Sequence, residues 1–417
     1  MTLSAADVAW ARAQFPALQQ QIHGHPAIFF DGPGGTHVPQ RVIDAMVQYL
    51  SYDNANTHGN FATSARTDVT IDGARAAMAD LLGCDADEIV FGPNMTTLTF
   101  ALARALGRDL GAGDEIVLTR LDHDANFSPW AALAERGVTI RTVDVDIEDC
   151  TLDMADLRRQ ITPRTRLVAV GYASNAVGTI NPIAEIIRLA REAGALSFVD
   201  AVHYAPHGPI DVRALGCDFL ACSPYKFFGP HAGTLYGRRE LLASLPAYKV
   251  RPASDDAPDR WEPGTKNHEA LAGVTEAVAY LAALGQRVAP HAADRRAVLM
   301  AAMTAVQAYE RELSEHLVAG LLVMPGLTFY GISDAARFGE RTCTVSIRLA
   351  GHTPAALARA LGERGICVWD GNYYALNLAE RLGTQSDGGM VRIGLVHYNT
   401  HDEIDRLLAQ MRAIAAG

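Results

Sequence analysis

Short apolar segments alternate with helical segments through the middle of this chain, and that alternation constrains the fold more than any other feature. Strands are predicted at 88–91, 115–119, 138–143, 167–171, 196–199, 219–222 and 232–236. Helices are predicted near 39–50, 64–83, 95–108, 127–136, 153–160 and 182–193. Such alternation is typical of a mostly parallel sheet covered by helices. We therefore predict an α/β fold with a seven-stranded sheet.

Length and pattern favour more than one domain. A chain of 417 residues exceeds the usual size of a single core. We predict an N-terminal segment over 1–50 that packs with the small domain, a large domain over 51–290, and a small α+β domain over 291–417. The small domain would contain strands at 327–331, 342–349, 366–369 and 390–395, with helices at 354–364 and 401–414. Residues 4–20 and 291–322 also read as helices.

Composition excludes several classes of protein. The net charge of −11 argues against a nucleic-acid-binding surface. The six cysteines show no paired spacing, so we predict neither a metal site nor a disulfide framework. Because the start of the chain has no apolar segment of a signal peptide and no run reaches about 18 apolar residues, we expect a cytoplasmic protein without a membrane span.

Lys226 and Asp200 suggest a pyridoxal phosphate (PLP) enzyme. Asp200 ends one apolar run, and Lys226 follows the next. A lysine amine can form a Schiff base with the PLP aldehyde, and burial helps it lose its proton. An aspartate can keep the pyridine nitrogen protonated, so that the ring accepts electrons. A single pair of this kind is weak support, because most such pairs are surface charges.

Other polar residues follow neighbouring strands at the same predicted edge. A predicted helix begins after a strand at Asn94, Met95 and Thr96. Such a helix start can bind a phosphate through its free amides, or its polar side chains can simply cap the helix. His123 can stack on an aromatic ring, although loop histidines are commonly just solvated. Asn175 can donate to the phenolic oxygen of PLP or can simply form a turn. Together they support a cofactor site at the carboxyl ends of the strands.

With these residues in place, the chain resembles the class V aminotransferases of PLP fold type I, and among them cysteine desulfurases of the SUF type. The segments 122–126, 174–179, 199–203 and 223–230 carry the resemblance. It implies a PLP-dependent transferase fold, a homodimer with shared active sites, and an amino-acid substrate. It also implies that Lys226 holds the cofactor and moves the substrate proton.

The resemblance assigns further cofactor contacts. Asp200 would pair with the pyridine nitrogen, and His123 would stack on the ring. The phosphate would be bound by the start of the helix and by the lysine segment, through Met95, Thr96, Ser223 and Tyr225. His203 stands where the family usually has glutamine, and Tyr225 stands where it usually has histidine. Across the dimer, Gly264 and Thr265 would reach the partner's phosphate, although Pro-Gly sequences commonly form plain turns.

Substrate contacts follow from the same resemblance. Arg392 would bind the α-carboxylate through two parallel hydrogen bonds, although an arginine in a strand is commonly a surface residue. Asn56 and His58 resemble a family loop near the active site and are interpreted as substrate-pocket residues.

The chain departs from the desulfurase pattern at the residue that accepts sulfur. Tyr374 occupies the position of the family cysteine, and Trp369 replaces a nearby arginine. Cys367 lies in an apolar run and is interpreted as a strand residue. We therefore predict a lyase that breaks C–S or other bonds at Cβ without a persulfide cysteine. An aminotransferase and an epimerase are alternatives, and a PLP-holding regulator is disfavoured because no DNA-binding segment is present.

Overall fold

The computed structural model describes residues 2–416. Its strands are β1 (Gln21–Ile22), β2 (His25–Pro26), β3 (Ile28–Phe29), β4 (Ile89–Gly92), β5 (Glu115–Thr119), β6 (Thr139–Val143), β7 (Thr165–Gly171), β8 (Leu196–Asp200), β9 (Phe219–Cys222), β10 (Gly233–Gly237), β11 (Leu327–Tyr330), β12 (Thr344–Leu349), β13 (Ile366–Cys367), β14 (Trp369–Gly371) and β15 (Met390–Gly394).

The α-helices follow the same chain order. They are α1 (Ala5–Ala13), α2 (Gln40–Gln48), α3 (Ala62–Leu82), α4 (Met95–Leu106), α5 (Ser128–Ala131), α6 (Met154–Gln160), α7 (Ile183–Glu192), α8 (Val212–Leu215), α9 (Arg239–Ser244), α10 (His268–Val288), α11 (Arg295–Leu322), α12 (Pro354–Gly362), α13 (Leu376–Arg381) and α14 (His401–Ala416).

The central sheet has seven strands in the order β4-β10-β9-β8-β7-β5-β6. Neighbouring strands of this sheet pair in parallel, except that β10 is antiparallel to both β4 and β9. Its middle strands are buried on both faces, as their nearly continuous apolar sequences require. The predicted α/β fold with a mostly parallel seven-stranded sheet is confirmed.

A second sheet lies in the C-terminal part of the chain, with four antiparallel strands in the order β11-β12-β15-β14. The long helix α11 leads into it, after packing against α10. A Cβ atom on Gly285 would lie 2.2 Å from the carbonyl oxygen of Val298, so glycine permits the close approach of these two helices. The N-terminal segment joins this region because β3 pairs in parallel with β13.

Some predicted elements differ from the structure, and three of these differences have a clear physical reason. The helix expected over 4–20 ends at Ala13, since the residue before Pro16 is disfavoured in a helix. The strand expected over 366–369 is split, with β13 pairing to the N-terminal segment and β14 joining the small sheet. The helix expected from 291 begins at Arg295, because the side chain of Asp294 caps it.

None of the helices within residues 2–416 combines the length and the apolar character that a membrane crossing requires. The domain boundaries near residues 50 and 290 remain predictions.

Candidate active site

A cavity of about 600 Å³ opens where the carboxyl ends of the central strands meet the small sheet. Parallel strands that end at one edge bring their following loops together there. The predicted site residues that line this cavity are Met95, Thr96, His123, Asn175, Asp200, His203, Ser223, Tyr225, Lys226, Tyr374 and Arg392.

Lys226 is half-buried in this cavity, directly after β9. Its Nζ donates a hydrogen bond to the carbonyl oxygen of Pro33 and lies 4.8 Å from the ring centroid of Tyr225. Burial, followed by the positive charge of Arg392, lowers the pKa of Lys226 to about 7. Much of the amine is therefore neutral at physiological pH, the state in which a lysine acts as a nucleophile.

Asp200 ends β8 and is buried beside Lys226. Its Oδ1 accepts a hydrogen bond from the amide of Val202 at 2.9 Å. Burial raises the pKa of Asp200 to about 6, and the charge of Lys226 opposes this rise. The carboxylate has no ion-pair partner among the described residues, so a cationic ring nitrogen in the cavity would supply one.

Asp122 is a second buried acid in the cavity lining, and its sequence position alone does not indicate its role. Its carboxylate accepts a hydrogen bond from Thr119 Oγ1 at 2.8 Å and another from the amide of Gly171. Burial, with a contribution from the nearby charge of Asp200, raises the pKa of Asp122 to about 7. A neutral Asp122 would leave Asp200 as the charged acid of this edge. The sequence feature that could have predicted Asp122 as a site residue is its position directly before His123.

His123 lies in the cavity as a neutral ring. Its Nδ1 accepts a hydrogen bond from the amide of Ala125 at 3.0 Å, so the proton of the neutral ring is on Nε2. Burial, together with the charge of Lys226, lowers the pKa of His123 to about 4. A neutral imidazole offers a flat face to an aromatic ligand without a charge that would repel Lys226.

The start of α4 lines the cavity with groups that favour an anion. The Asn94 side chain caps the helix by accepting from the amide of Thr97 at 2.8 Å. Helix geometry leaves the amides of Met95 and Thr96 without partners inside the helix, and the helix dipole places partial positive charge there. Asn94 therefore acts as an ordinary cap while the amides beside it remain available for a phosphate.

Arg392 lies on β15 and is buried. It donates a hydrogen bond to the carbonyl oxygen of Asn175 at 2.9 Å, and its guanidinium carbon lies 4.5 Å from the ring centroid of Tyr373. No carboxylate within residues 2–416 forms a salt bridge with it, and its Nε has no hydrogen-bond partner there. Burial lowers the pKa of Arg392 to about 10, so it stays charged at neutral pH. A buried, uncompensated guanidinium favours an anionic ligand.

Four further predicted residues line the same cavity as Lys226: Asn175, His203, Ser223 and Tyr225. Asn175 donates from Nδ2 to the carbonyl oxygen of Tyr373 at 2.8 Å, while its Oδ1 is buried without a partner among the described residues. His203 lies 3.2 Å from Thr342 Oγ1 through its Nε2. Ser223 is buried, and the Tyr225 ring stacks on His231.

Four predicted site residues lie outside this cavity. Asn56 and His58 are exposed in the loop after α2, where Asp68 accepts a hydrogen bond from the His58 amide. Gly264 and Thr265 are exposed before α10. They follow Glu262, which is buried and accepts a hydrogen bond from the amide of Phe91 at 2.7 Å. Within one chain, these four residues are not brought to the site.

The rim of the cavity is aromatic. Trp369 is exposed, and a Cβ on Gly34 would lie 2.4 Å from its indole nitrogen, so the indole packs directly on that glycine. Tyr373 and Tyr374 both have positive φ angles, of 57° and 61°, which are costly for bulky residues. Cys367 is half-buried in β13, and burial raises the pKa of its thiol to about 11.

Comparison with known proteins agrees with this geometry. The sequence model of the class V aminotransferases matches residues 28–407. The chain belongs to the class V aminotransferase family. It is 34% identical to a cysteine desulfurase of Dickeya dadantii, over 97% of this chain and 95% of that protein. It is 33% identical to a probable cysteine desulfurase of Mycolicibacterium paratuberculosis, over 99% of this chain but only 58% of that longer protein.

Solved structures give the same result. A cysteine desulfurase from Thermococcus onnurineus superposes with a TM-score of 0.87 at 26% identity, over the full length of both chains. A cysteine desulfurase from Escherichia coli superposes with a TM-score of 0.82 at 27% identity, over 98% of each chain.

The protein is a PLP-dependent enzyme of this family, and the cavity fits the cofactor. The amides at the helix start would hold the phosphate, His123 would offer a neutral ring face, and Asp200 would offer a buried acid, since all of them line this cavity. The lowered pKa of Lys226 suits an amine that bonds to an aldehyde.

Proposed function

We propose that this enzyme is a lyase that eliminates a substituent from Cβ of an α-amino acid, with Lys226 as the Schiff-base lysine and without a persulfide cysteine. The observation that carries the proposal is the cavity itself. Lys226, Asp200 and Arg392 line one space, while the six cysteines are absent from its lining.

Arg392 fixes the substrate by its α-carboxylate. The guanidinium is held by the carbonyl of Asn175 and lies against Tyr373, so its remaining N–H groups keep a defined direction. This orientation would place the Cα–H bond of the substrate near Lys226, because both residues line the same cavity.

Lys226 is the base that takes the proton from Cα. With a pKa lowered to about 7, its amine accepts a proton near neutral pH and can return one later in the cycle. PLP, when bound, supplies an electron-accepting ring for the electron pair left on Cα. Asp200 would keep that ring electron-accepting by pairing with its nitrogen, and the burial of the carboxylate would strengthen this interaction.

The aromatic rim separates this protein from a sulfur-transferring desulfurase. Tyr374 presents a phenol where a mobile thiol is needed for sulfur transfer, and Cys367 is held in a strand with a raised pKa. The eliminated group would therefore leave directly rather than be captured by the protein.

We also propose a homodimer with shared active sites. Ile43, Val47 and Leu50 form an exposed apolar stripe on and just after α2, at helical spacing. The exposed residues Asn56, His58, Gly264 and Thr265 would reach the partner's cavity across such an interface. A cytoplasmic location is supported by six unpaired cysteines.

Product analysis tests the lyase proposal. We expect pyruvate, ammonia and a released thiol when the enzyme is incubated with S-alkyl cysteines, and sulfide in place of the thiol when it is incubated with cysteine. Accumulation of the amine form of the cofactor, which requires a keto acid to recycle, would instead support the aminotransferase. Racemised substrate without pyruvate would support the epimerase.

A further inference from the structure

A second cluster of reactive side chains lies behind the active site, at the junction of the large sheet, helix α11 and the small sheet. It consists of His207, Glu310 and Cys343, which we call the junction triad. His207 follows β8, Glu310 lies on α11, and Cys343 immediately precedes β12. Their side chains are buried, with 2%, 3% and 1% of their surfaces exposed.

The three donor atoms converge. His207 Nδ1 lies 2.6 Å from Glu310 Oε2, and Cys343 Sγ lies 3.3 Å from that same oxygen. Cys343 Sγ lies 4.0 Å from His207 Nδ1. In a tetrahedral zinc site, metal bonds of about 2.0–2.3 Å place neighbouring donors about 3.3–3.6 Å apart. The triad therefore needs only small adjustments to surround one ion.

A second observation also points to a ligand. Glu310 Oε1 is buried and has no hydrogen-bond partner within residues 2–416. Burying an unpaired carboxylate oxygen is costly, and a cation held between both oxygens and the two other donors removes that cost. The carbonyl oxygen of Leu395, 2.9 Å from Cys343 Sγ, is a further oxygen donor beside the triad.

We propose that the junction triad binds one divalent metal ion, with zinc favoured by its nitrogen, sulfur and carboxylate donors. On binding, the Cys343 thiol loses its proton to solvent, and Sγ bonds to the metal as a thiolate. His207 binds as the neutral ring through Nδ1. The site is buried and lies outside the cofactor cavity, so its role is structural: it ties α11 to the segments after β8 and before β12.

The triad is separate from the cofactor cavity but close to it. None of its three residues lines the cavity. The His207 ring lies 4.9 Å from the ring of His203, which does line it. A metal at the triad would therefore fix the wall that carries His203 without touching the reacting atoms.

Metal content is the direct test. The protein is produced in zinc-supplemented medium, dialysed, and analysed for zinc by mass spectrometry. We expect about one zinc per chain in the wild type and less than about a tenth of that in Cys343→Ser and Glu310→Gln, since the first removes the thiolate and the second removes the negative charge of the carboxylate. Cys217→Ser, which removes another buried cysteine, is the matched control and should keep its zinc.

Cobalt provides a readout that is specific for the thiolate. A cobalt-loaded wild type should show a near-ultraviolet thiolate-to-cobalt band in the difference spectrum, and Cys343→Ser should lack it.

A chelator should lower the Tm of the wild type and leave that of Cys343→Ser unchanged. If Cys343→Ser does not fold, the zinc content of Glu310→Gln tests whether the junction triad binds the metal. A wild type without stoichiometric zinc, or zinc that survives both substitutions, would overturn the proposal.

Discussion

The ring of Tyr374 stacks on the ring of His123, with centroids 5.5 Å apart and planes inclined by 18°. The contact joins the segment after β14 to the loop after β5. It is fixed by the backbone, because the Asp124 amide donates to the Tyr374 carbonyl at 2.7 Å. Two consecutive positive φ angles at Tyr373 and Tyr374 cost about 1–3 kcal/mol each. Strain held in this way motivates the hypothesis that Tyr374 has a role at the cavity, which the following substitution tests.

Tyr374→Cys should convert the enzyme towards sulfur transfer. The substitution places a thiol at the family position, on the rim of the cavity, where it can attack the sulfur of a bound cysteine. After incubation with L-cysteine, intact-mass analysis should show one added sulfur atom on this variant. The wild type and Tyr374→Ser should show none. A persulfide on Cys367 of the wild type would contradict the proposal that sulfur is not captured.

Arg392→Lys should weaken substrate binding. Lysine keeps the charge but loses the paired hydrogen bonds to a carboxylate, which we expect to raise KM about 10- to 100-fold. The measurement is steady-state kinetics with an amino acid that yields pyruvate. Arg348→Lys is the matched control, because Arg348 lies on the neighbouring strand β12, pairs with the exposed Asp387, and does not line the cavity. An equal effect of both substitutions would argue against a carboxylate site at Arg392.

Cofactor uptake by the apoenzyme should depend on pH through Lys226. Only the neutral amine reacts with the aldehyde, so the rate should rise with pH and level off above a midpoint near 7. Arg392→Met removes a positive charge that disfavours the protonated amine, and should move this midpoint to higher pH. Stopped-flow absorbance measures the rate of cofactor uptake by the wild type and by Arg392→Met at each pH. A wild-type midpoint near pH 10 would mean that the surroundings of Lys226 do not lower the pKa of its amine.

The sequence predicts those features of the site that depend on local pattern. The strand β5 is predicted at its observed limits, because an apolar run is bounded by turn residues on both sides. Since parallel strands end at one edge, the loops that hold His123, Asn175, Asp200 and Lys226 could be expected to meet. The structure brings all four to one cavity.

Features that depend on contacts between distant segments could not be predicted. His207, Glu310 and Cys343 are separated by 103 and 33 residues, so no spacing rule reveals that they meet. The packing of Trp369 on Gly34 is also a contact between distant segments. The split of residues 366–371 into two strands depends on their two different pairing partners, which the local sequence does not specify.

The central claim is that Lys226 binds PLP covalently, and the absorption spectrum of the purified protein tests it most directly. We expect a visible band from the lysine-bound cofactor in the wild type and its loss in Lys226→Ala. Reduction with borohydride followed by peptide mass analysis should place the cofactor on Lys226. A wild-type protein that stays colourless after addition of PLP, or a band that Lys226→Ala retains unchanged, would contradict the account.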